Sequence, residues 1–498
     1  MLSILSLLLI PVAIALRRLW IKWQEDRAYA SLNVPVIKGS ETTDYKALIR
    51  SQYVNDPEQV FILQTPFRRV IVLPDRLVNE YTWLPEASVT SAGDLCERFL
   101  GDYTCVGSMY PDTPGDRSHT AIGYAKQQLT KNASFIMPTA HDEIEASIAE
   151  IFGECSDWTG FPLHQAMCKI MLRVYQTVFV GGELARNETW MKYCTEHSAA
   201  AMRAAVALSK WDPILRPVAA LFIPEMRDLR RRFNILRDFV APIHKARFTE
   251  MQKPGFKNPH DLVQHFIENA GKDKHNTSKL IEGFVILNFA GVVSTGTVLT
   301  QALFDLAAHP EYIEPLREES RSLVASEGTI RLRPASLAKL QNMDSFFKES
   351  QRFNHANLLS VYRKIIKPLP LTNGMTLPAN SYVAVSNAYA VISGEKKQPH
   401  EFNGFQWAEK RAIAGNESKY TYVSVGPESV EFGAGRNACP GRFFATNVLK
   451  ATLSRLLLEY DFKLPDGKDR PVNNFNHLFS LIYDTTATLE FRKKGKQG

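Results

Sequence analysis

The chain opens on an apolar run, residues 2–16, broken only by Ser3, Ser6 and Pro11. Fifteen helical residues rise about 22 Å, short of the roughly 30 Å hydrocarbon core of a bilayer. Extension to Trp23 gives about 33 Å, provided that Arg17, Arg18 and Lys22 snorkel and Trp20 and Trp23 lie at the interface. The positive charges follow the apolar run, whereas a cleaved signal carries them before it. The pattern therefore predicts an uncleaved anchor over residues 1–23, a linker over 24–40 containing Pro35, and the remainder of the chain in the cytosol. In that setting the N-x-[ST] triplets at Asn132, Asn187, Asn276 and Asn416 are chance matches and not glycosylation sites. Helical periodicity then dominates, over 142–152, 163–180, 189–208 and 224–246, with Pro213, Pro217 and Pro224 separating the last two. Strand-like alternation is confined to short stretches, 60–63, 70–73, 382–385 and 487–491. The longest helical pattern, 278–309, stops before Pro310 and spans roughly 48 Å. Its middle is apolar on nearly every face, which places it inside a core and not across a membrane. Gly291 and Gly296 each cost this helix about 1 kcal/mol, so either a packed neighbour or a ligand must approach its backbone closely. The balance is mainly α with a minor β part.

The chain has 498 residues, of which 45 % are apolar and 22 % charged. These proportions exclude a disordered chain, a collagen-like chain and a multi-span membrane protein. Length alone suggests about three domains. The formal charge of +7, from 59 Lys+Arg and 52 Asp+Glu, is too diffuse to point to nucleic acid. No two of the six cysteines form a C-x-x-C pair, which argues against a zinc ribbon or thioredoxin-like site. Five read as packing thiols.

Cys439 is different. It lies in Phe432-Gly-Ala-Gly-Arg-Asn-Ala-Cys-Pro-Gly-Arg442. Gly433 and Gly435 allow a turn that other residues resist, and Pro440 suits the first position of the helix that follows. A cysteine at a helix N-terminus is stabilised as thiolate by free N–H groups and the dipole. A thiolate beside glycines, where a flat group can approach, suits axial ligation of haem iron.

At offsets 0, 3, 7 and 9, Phe432, Gly435, Cys439 and Gly441 resemble the haem loop of the cytochrome P-450 superfamily. Glu349-Ser-Gln-Arg352 is similar to its E-x-x-R pair, and Ala290-Gly-Val-Val-Ser-Thr295 to the oxygen-binding motif of its long helix. Residues 129–130 and Arg186-Asn-Glu-Thr-Trp190 look like the fungal secondary-metabolism branch, of the ent-kaurene oxidase and indole-diterpene oxidase kind. Three positions depart from the family pattern: Asn437 replaces a propionate-binding Arg or His, Gln406 replaces the Arg that completes the Glu349–Arg352 pair, and Val293 replaces an acid. Arg436 is then the candidate to compensate for Asn437, and a neutral hydrogen bond from Gln406 to complete the pair.

The resemblance implies one large P-450 catalytic domain over 41–498, replacing the three-domain arithmetic, with a haem b held by Cys439. Phe432, Gly433, Gly435, Arg436, Asn437 and Gly441 would line the haem, and Arg363 would meet a propionate. Gly291, Ser294 and Thr295 would serve oxygen and its protons. Phe289, Leu358, Leu359, Phe479 and Leu481 would touch an apolar, terpenoid-sized substrate. No G-x-G-x-x-G follows a strand, so electrons from NADPH must arrive through a separate cytochrome P-450 reductase, with cytochrome b5 as a further donor. Arg442 is a candidate for that basic contact. The implied activity is O2-dependent hydroxylation by a single-pass protein of the endoplasmic reticulum membrane. The missing acid at 293 leaves two other readings to weigh, an isomerase or dehydratase independent of O2 and reductase, and a non-catalytic haem-binding protein.

Overall fold

The computed structural model describes residues 4–40, 42–56, 58–65, 68–106, 121–386, 401–427, 429–475, 481–482 and 484–495. The chain begins with α1 (Ile4–Ala30), followed by β1 (Val36–Lys38), which pairs in parallel with β2 (Phe61–Gln64). The stretch read as a linker is therefore helical as far as Ala30 and then joins a sheet. That sheet continues through β3 (Arg69–Leu73) and ends on β4 (Val89–Thr90), with β6 (Leu359–Ile365) and β7 (Tyr382–Ser386) between them, in the order β1-β2-β3-β7-β6-β4. A smaller antiparallel sheet joins β5 (Thr159–Pro162), β8 (Tyr460–Lys463) and β9 (Thr488–Lys493), with β9 central.

The helical body consists of α2 (Ala133–Phe152), α3 (Leu163–Val180), α4 (Glu188–Ser209), α5 (Arg216–Phe222), α6 (Pro224–Glu250), α7 (Thr277–Ala308), α8 (Gln341–Phe353) and α9 (Arg442–Glu459). Three of the four triplet asparagines, Asn132, Asn187 and Asn276, stand at helix N-caps, and two of them cap through the side chain. Asn187 accepts the Trp190 N–H to cap α4, and Asn276 accepts the Lys279 N–H to cap α7. Helix α2 begins nine residues before its predicted start and contains Pro138.

The main apolar cluster runs from Ala121 to Phe491 in the sequence and draws on α2, α3, α7 and α9 together. One core collecting such distant segments is a single domain, which sets aside the length arithmetic. Helix α7 crosses this core. Among the described residues it is the one helix apolar enough to span a membrane by length and composition, and it is mostly buried in protein. Its glycines are explained by α3. A side chain at Gly296 would lie 2.6 Å from Cys168 Sγ, and one at Gly291 would lie 2.8 Å from Tyr175 Cε1. Both glycines thus meet the close approach of α3.

Candidate functional site

The Cys439 loop is fixed almost entirely by its backbone. Gly433 and Gly435 take φ of +75° and +65°, and the Cys439 N–H donates to the Phe432 carbonyl at 2.7 Å. A short 3-10 turn covers Gly435–Asn437. Helix α9 begins at Arg442, capped by Gly441, so Pro440 precedes the helix instead of occupying its first position. Thr130 donates to the Pro440 carbonyl at 3.3 Å, tying the loop to the segment before α2. Burial pushes the Cys439 thiol up, outweighing the Gly441 and Arg442 N–H groups and the Arg442 charge that favour the thiolate. Arg442 itself donates to the carbonyls of Val423 and Cys439, at 3.1 and 2.8 Å, and so is engaged within the loop.

Strand β6 brings Arg363 to the same loop. A bulge between Ser360 and Arg363 puts Val361 at φ +56°, a strained value for a β-branched residue. Tyr81 Oη donates to the Val361 carbonyl at 3.2 Å, and Arg363 Nη2 donates to the Ala434 carbonyl at 3.2 Å. Asn437 Nδ2 donates to Glu86 at 2.7 Å, and the neighbouring Arg436 is exposed.

The middle of α7 is buried at Val292, Thr295, Gly296 and Thr297, yet Ala290 and Ser294, one turn apart, are exposed. Open space thus lies against one face of an otherwise buried helix. The two hydroxyls that the sequence treats alike are separated by this geometry. Ser294 borders the opening and donates to the Ala290 carbonyl at 2.6 Å. Thr295 is turned inward, donating to the Gly291 carbonyl at 2.7 Å and hydrogen bonded to Tyr175. Gly291 also faces away from the opening, toward the Tyr175 ring.

Tyr175 was not singled out in the sequence, where it appears only as one position of an apolar stripe. It packs edge-on to Phe444 with centroids 5.6 Å apart, and so joins the middle of α7 to the start of α9. Asn288 was also missed. It donates to the Cys194 carbonyl at 2.8 Å and accepts from Gln176 at 2.9 Å, which ties α4 and α3 to α7 beside Phe289. Trp190, in the motif read as fungal, donates its indole N–H to the same Gln176 at 3.1 Å.

Of the five expected substrate contacts, Phe479 lies outside the described residues. Phe289 is half-buried, edge-on to Phe99 at 5.6 Å. Leu358 and Leu359 are buried in a separate cluster with Phe61 and Val70. Leu481 is buried as well, its N–H donated to the Ala356 carbonyl. These three do not border open space.

Glu349 is fully buried and accepts five hydrogen bonds. Arg352 donates twice at 2.8 Å, Gln406 Nε2 at 2.7 Å, Trp407 Nε1 at 3.1 Å and the Asn403 N–H at 3.1 Å. The neutral bond expected from Gln406 is present. The indole of Trp407 is an addition that the sequence did not reveal.

The family model for cytochrome P-450 matches residues 126–487. This chain belongs to that family. The cytochrome P-450 monooxygenase BOA4 of Botryotinia fuckeliana is 32 % identical over 467 residues, covering 93 % of this chain and 92 % of the relative. The cytochrome P-450 monooxygenase ORF5 of Penicillium roqueforti is 30 % identical over 427 residues, 85 % of this chain and 78 % of the relative. An ent-kaurene oxidase of Gibberella intermedia is 29 % identical over 455 residues, 90 % and 83 % of the two chains. The protein is a cytochrome P-450 monooxygenase, of a family that uses a cysteine-ligated haem, O2 and electrons from a redox partner.

The residues present fit such a group. Cys439 lies deep in the P-450 body yet keeps accessible surface, so it faces unfilled space. The loop around it has the positive-φ glycines that close backbone approach requires. A methyl group at Gly435 would lie 2.4 Å from the Thr82 carbonyl oxygen, in a conformation that L-residues resist. Gly435→Ala is expected to cost roughly 1–3 kcal/mol from the conformation alone. Haem content at a fixed protein concentration, and the temperature at which haem is lost, should both fall. Unchanged values would mean that the loop is not so constrained.

Proposed function

We propose that this P-450 oxidises a sizeable apolar substrate, of the terpenoid or indole-diterpenoid class, in a fungal secondary-metabolite route. The observation that carries the reading is the apolar setting of the middle of α7, where Phe289 precedes Ala290 and Ser294 on one face of the helix. Phe289 at one end of this face, and the alanines of α4 packed near it, favour an apolar ligand. The ent-kaurene oxidase among the relatives supports the terpenoid class.

In this reading Cys439 would hold haem b through its sulfur, and Phe432, Gly433, Gly435 and Gly441 shape its loop. Arg363 meets a propionate, with Asn437 held back by Glu86. When bound, the haem activates O2 for insertion into a C–H bond. Ser294 is the hydroxyl placed to pass a proton into the open space, with Thr295 supporting the helix from its other side. Val293 supplies no acid, so water completes the relay. Glu349 and Arg352 hold the core behind the haem.

We also read α1 as a single-pass anchor in the endoplasmic reticulum membrane, with the catalytic domain cytosolic. Its residues 4–23 rise about 30 Å, with Arg17, Arg18 and Lys22 toward the end of that stretch. NADPH–cytochrome P-450 reductase, with cytochrome b5 as a further donor, would supply the electrons.

Co-expression of the full chain with a reductase, followed by profiling of oxidised terpenoids, tests the reading. Product is expected only with NADPH and O2. Ser294→Ala should lower product per NADPH consumed more than Thr295→Ala does. Equal losses would remove the distinction between the hydroxyls. Turnover under nitrogen without reductase would replace the oxidation with the isomerase or dehydratase reading.

A further inference from the structure

The helix Ser91–Phe99 is pinned to the larger sheet by charge. Its Asp94 carboxylate is only 1 % exposed. Arg68 Nη1, just before β3, lies 2.8 Å from one carboxylate oxygen, and Arg98 Nη2 lies 3.1 Å from the other. Both guanidinium groups rest on rings of the sheet. Arg68 is 4.4 Å from the ring centre of Tyr382 on β7, and Arg98 is 4.1 Å from that of Tyr362 on β6. Stacking of this kind is attractive and leaves the edge of the guanidinium free to donate. The neighbouring charges are closed: Lys364 donates to Glu97, and the Tyr382 hydroxyl donates to the same carboxylate. Arg68, Arg98 and Lys364 against Asp94 and Glu97 leave one positive charge in excess.

The hydrogen bonds are not closed. Asp94 balances charge, yet neither of its oxygens accepts a hydrogen bond among the described residues. Arg68 Nη2 and Arg98 Nε are buried and have no acceptor there either. Buried donors without acceptors are costly, and folded proteins seldom keep them. Two such donors on two arginines, with a surplus positive charge, match an oxyanion in sign and in donor geometry.

Apolar surface adjoins these donors. Arg98 Cζ is 5.1 Å from the ring centre of Phe99, and Phe99 is edge-on to Phe289 at 5.6 Å. Phe289 immediately precedes Ala290 on α7. A ligand laid along Phe289 and Phe99 therefore meets Arg98 at its far end. The haem side of the sheet is a different face. Arg363 donates to the Ala434 carbonyl, and Ala434 packs with Val361 and Ile365. Tyr362, on which Arg98 rests, packs instead against the cluster of Phe61 and Val70.

We propose that Arg98, backed by Arg68, binds a carboxylate of the substrate, so that the substrate is an apolar acid and not a hydrocarbon. The proposal rests on reading the space beside α7 as the seat of an apolar substrate. Asp94 is a positioning group, which holds the two arginines and competes with the ligand for their charge. A reaction that leaves a carboxylate on the skeleton must then precede this one.

The test is a titration of the haem-loaded full chain, read by the ligand-induced shift of the Soret band. It is run at about pH 8, where a carboxylic acid is ionised. The probes are abietic acid and abietinol, one diterpene skeleton ending in a carboxylate or a hydroxyl, and dodecanoic acid and dodecanol. The acid of a pair should bind more tightly than its alcohol by roughly ten-fold or more. Arg98→Gln should erase that preference without changing the affinity for the alcohol, and Arg98→Lys should restore part of it. Asp94→Asn, which frees both arginines, should tighten binding of the acid and leave the alcohol as it was. An acid that binds no more tightly than its alcohol in both pairs overturns the carboxylate site. So does an Arg98→Gln protein that binds acid and alcohol equally weakly, the mark of a structural role. Loss of haem from Arg98→Gln at a fixed protein concentration also overturns it, since the N–H groups would then serve the cofactor. A preference for the acid in the dodecyl pair alone keeps the site and removes the terpenoid class.

Discussion

Replacing Cys439 with alanine is expected to abolish oxidation of any substrate while leaving the chain folded. The bonds that shape the loop are backbone bonds, and the substitution keeps them. The Cys439 N–H still reaches the Phe432 carbonyl, Arg442 still reaches the carbonyls of Val423 and residue 439, and Arg363 still reaches that of Ala434. Only a sulfur is lost, and an alanine fits wherever a cysteine did. The stability change should stay within about 1–2 kcal/mol. The chemical change is total, because the soft anionic ligand that donates electron density to the iron is gone. Absorption of the reduced, CO-treated protein is the direct check. The full chain should show the strongly red-shifted Soret band of thiolate ligation, and Cys439→Ala should lack it with an unchanged far-ultraviolet circular dichroism spectrum. Survival of that band would move the ligand to one of the other five cysteines.

Glu349→Ala should have the opposite profile, a loss of fold with no direct contact to chemistry. Removing the carboxylate leaves Arg352, only 12 % exposed at its side chain, without its charge partner. Breaking a buried pair from one side costs about 3–5 kcal/mol. The donors of Gln406, Trp407 and Asn403 also lose their acceptor, at about 1–3 kcal/mol for each that water cannot reach. The sum rivals the 5–15 kcal/mol that typically separates folded from unfolded protein. Haem-loaded protein should therefore fail to accumulate on expression. Glu349→Gln keeps the shape and one acceptor oxygen, and should recover part of the yield. Normal yield of Glu349→Ala would mean that Gln406 and Trp407 hold the core without the carboxylate.

The backbone of the Cys439 loop was legible in the sequence because it is local. Its glycines and proline lie within ten residues, and their spacing specifies a turn and a following helix. Helix α3 was read with its observed bounds because its apolar stripe has no breaker inside it. What was not legible depends on side chains meeting across the fold. Gly291 and Ser294 belong to one short motif, but rotation along the helix sends one against Tyr175 and the other into open space. Leu358 and Leu359 are apolar and lie near the expected site in sequence. Only strand pairing shows that they face Phe61 and Val70 instead. The start of α2 was also not legible, since the helix begins at Ala133 and carries Pro138 within it.

The alanines of α4 have a consequence for how this enzyme could change over generations. Ala200, Ala201 and Ala204 all lie on the face packed near Phe289, and all are buried. Every alanine codon is a single base change from a valine codon. Each such change adds two methyl groups to the buried cluster against which Phe289 packs, at about 1–3 kcal/mol. The row therefore works as a set of coarse, heritable adjustments. Descendants of one gene could narrow or reshape the space above α7 in single steps, without touching the Cys439 loop or the Glu349 pair.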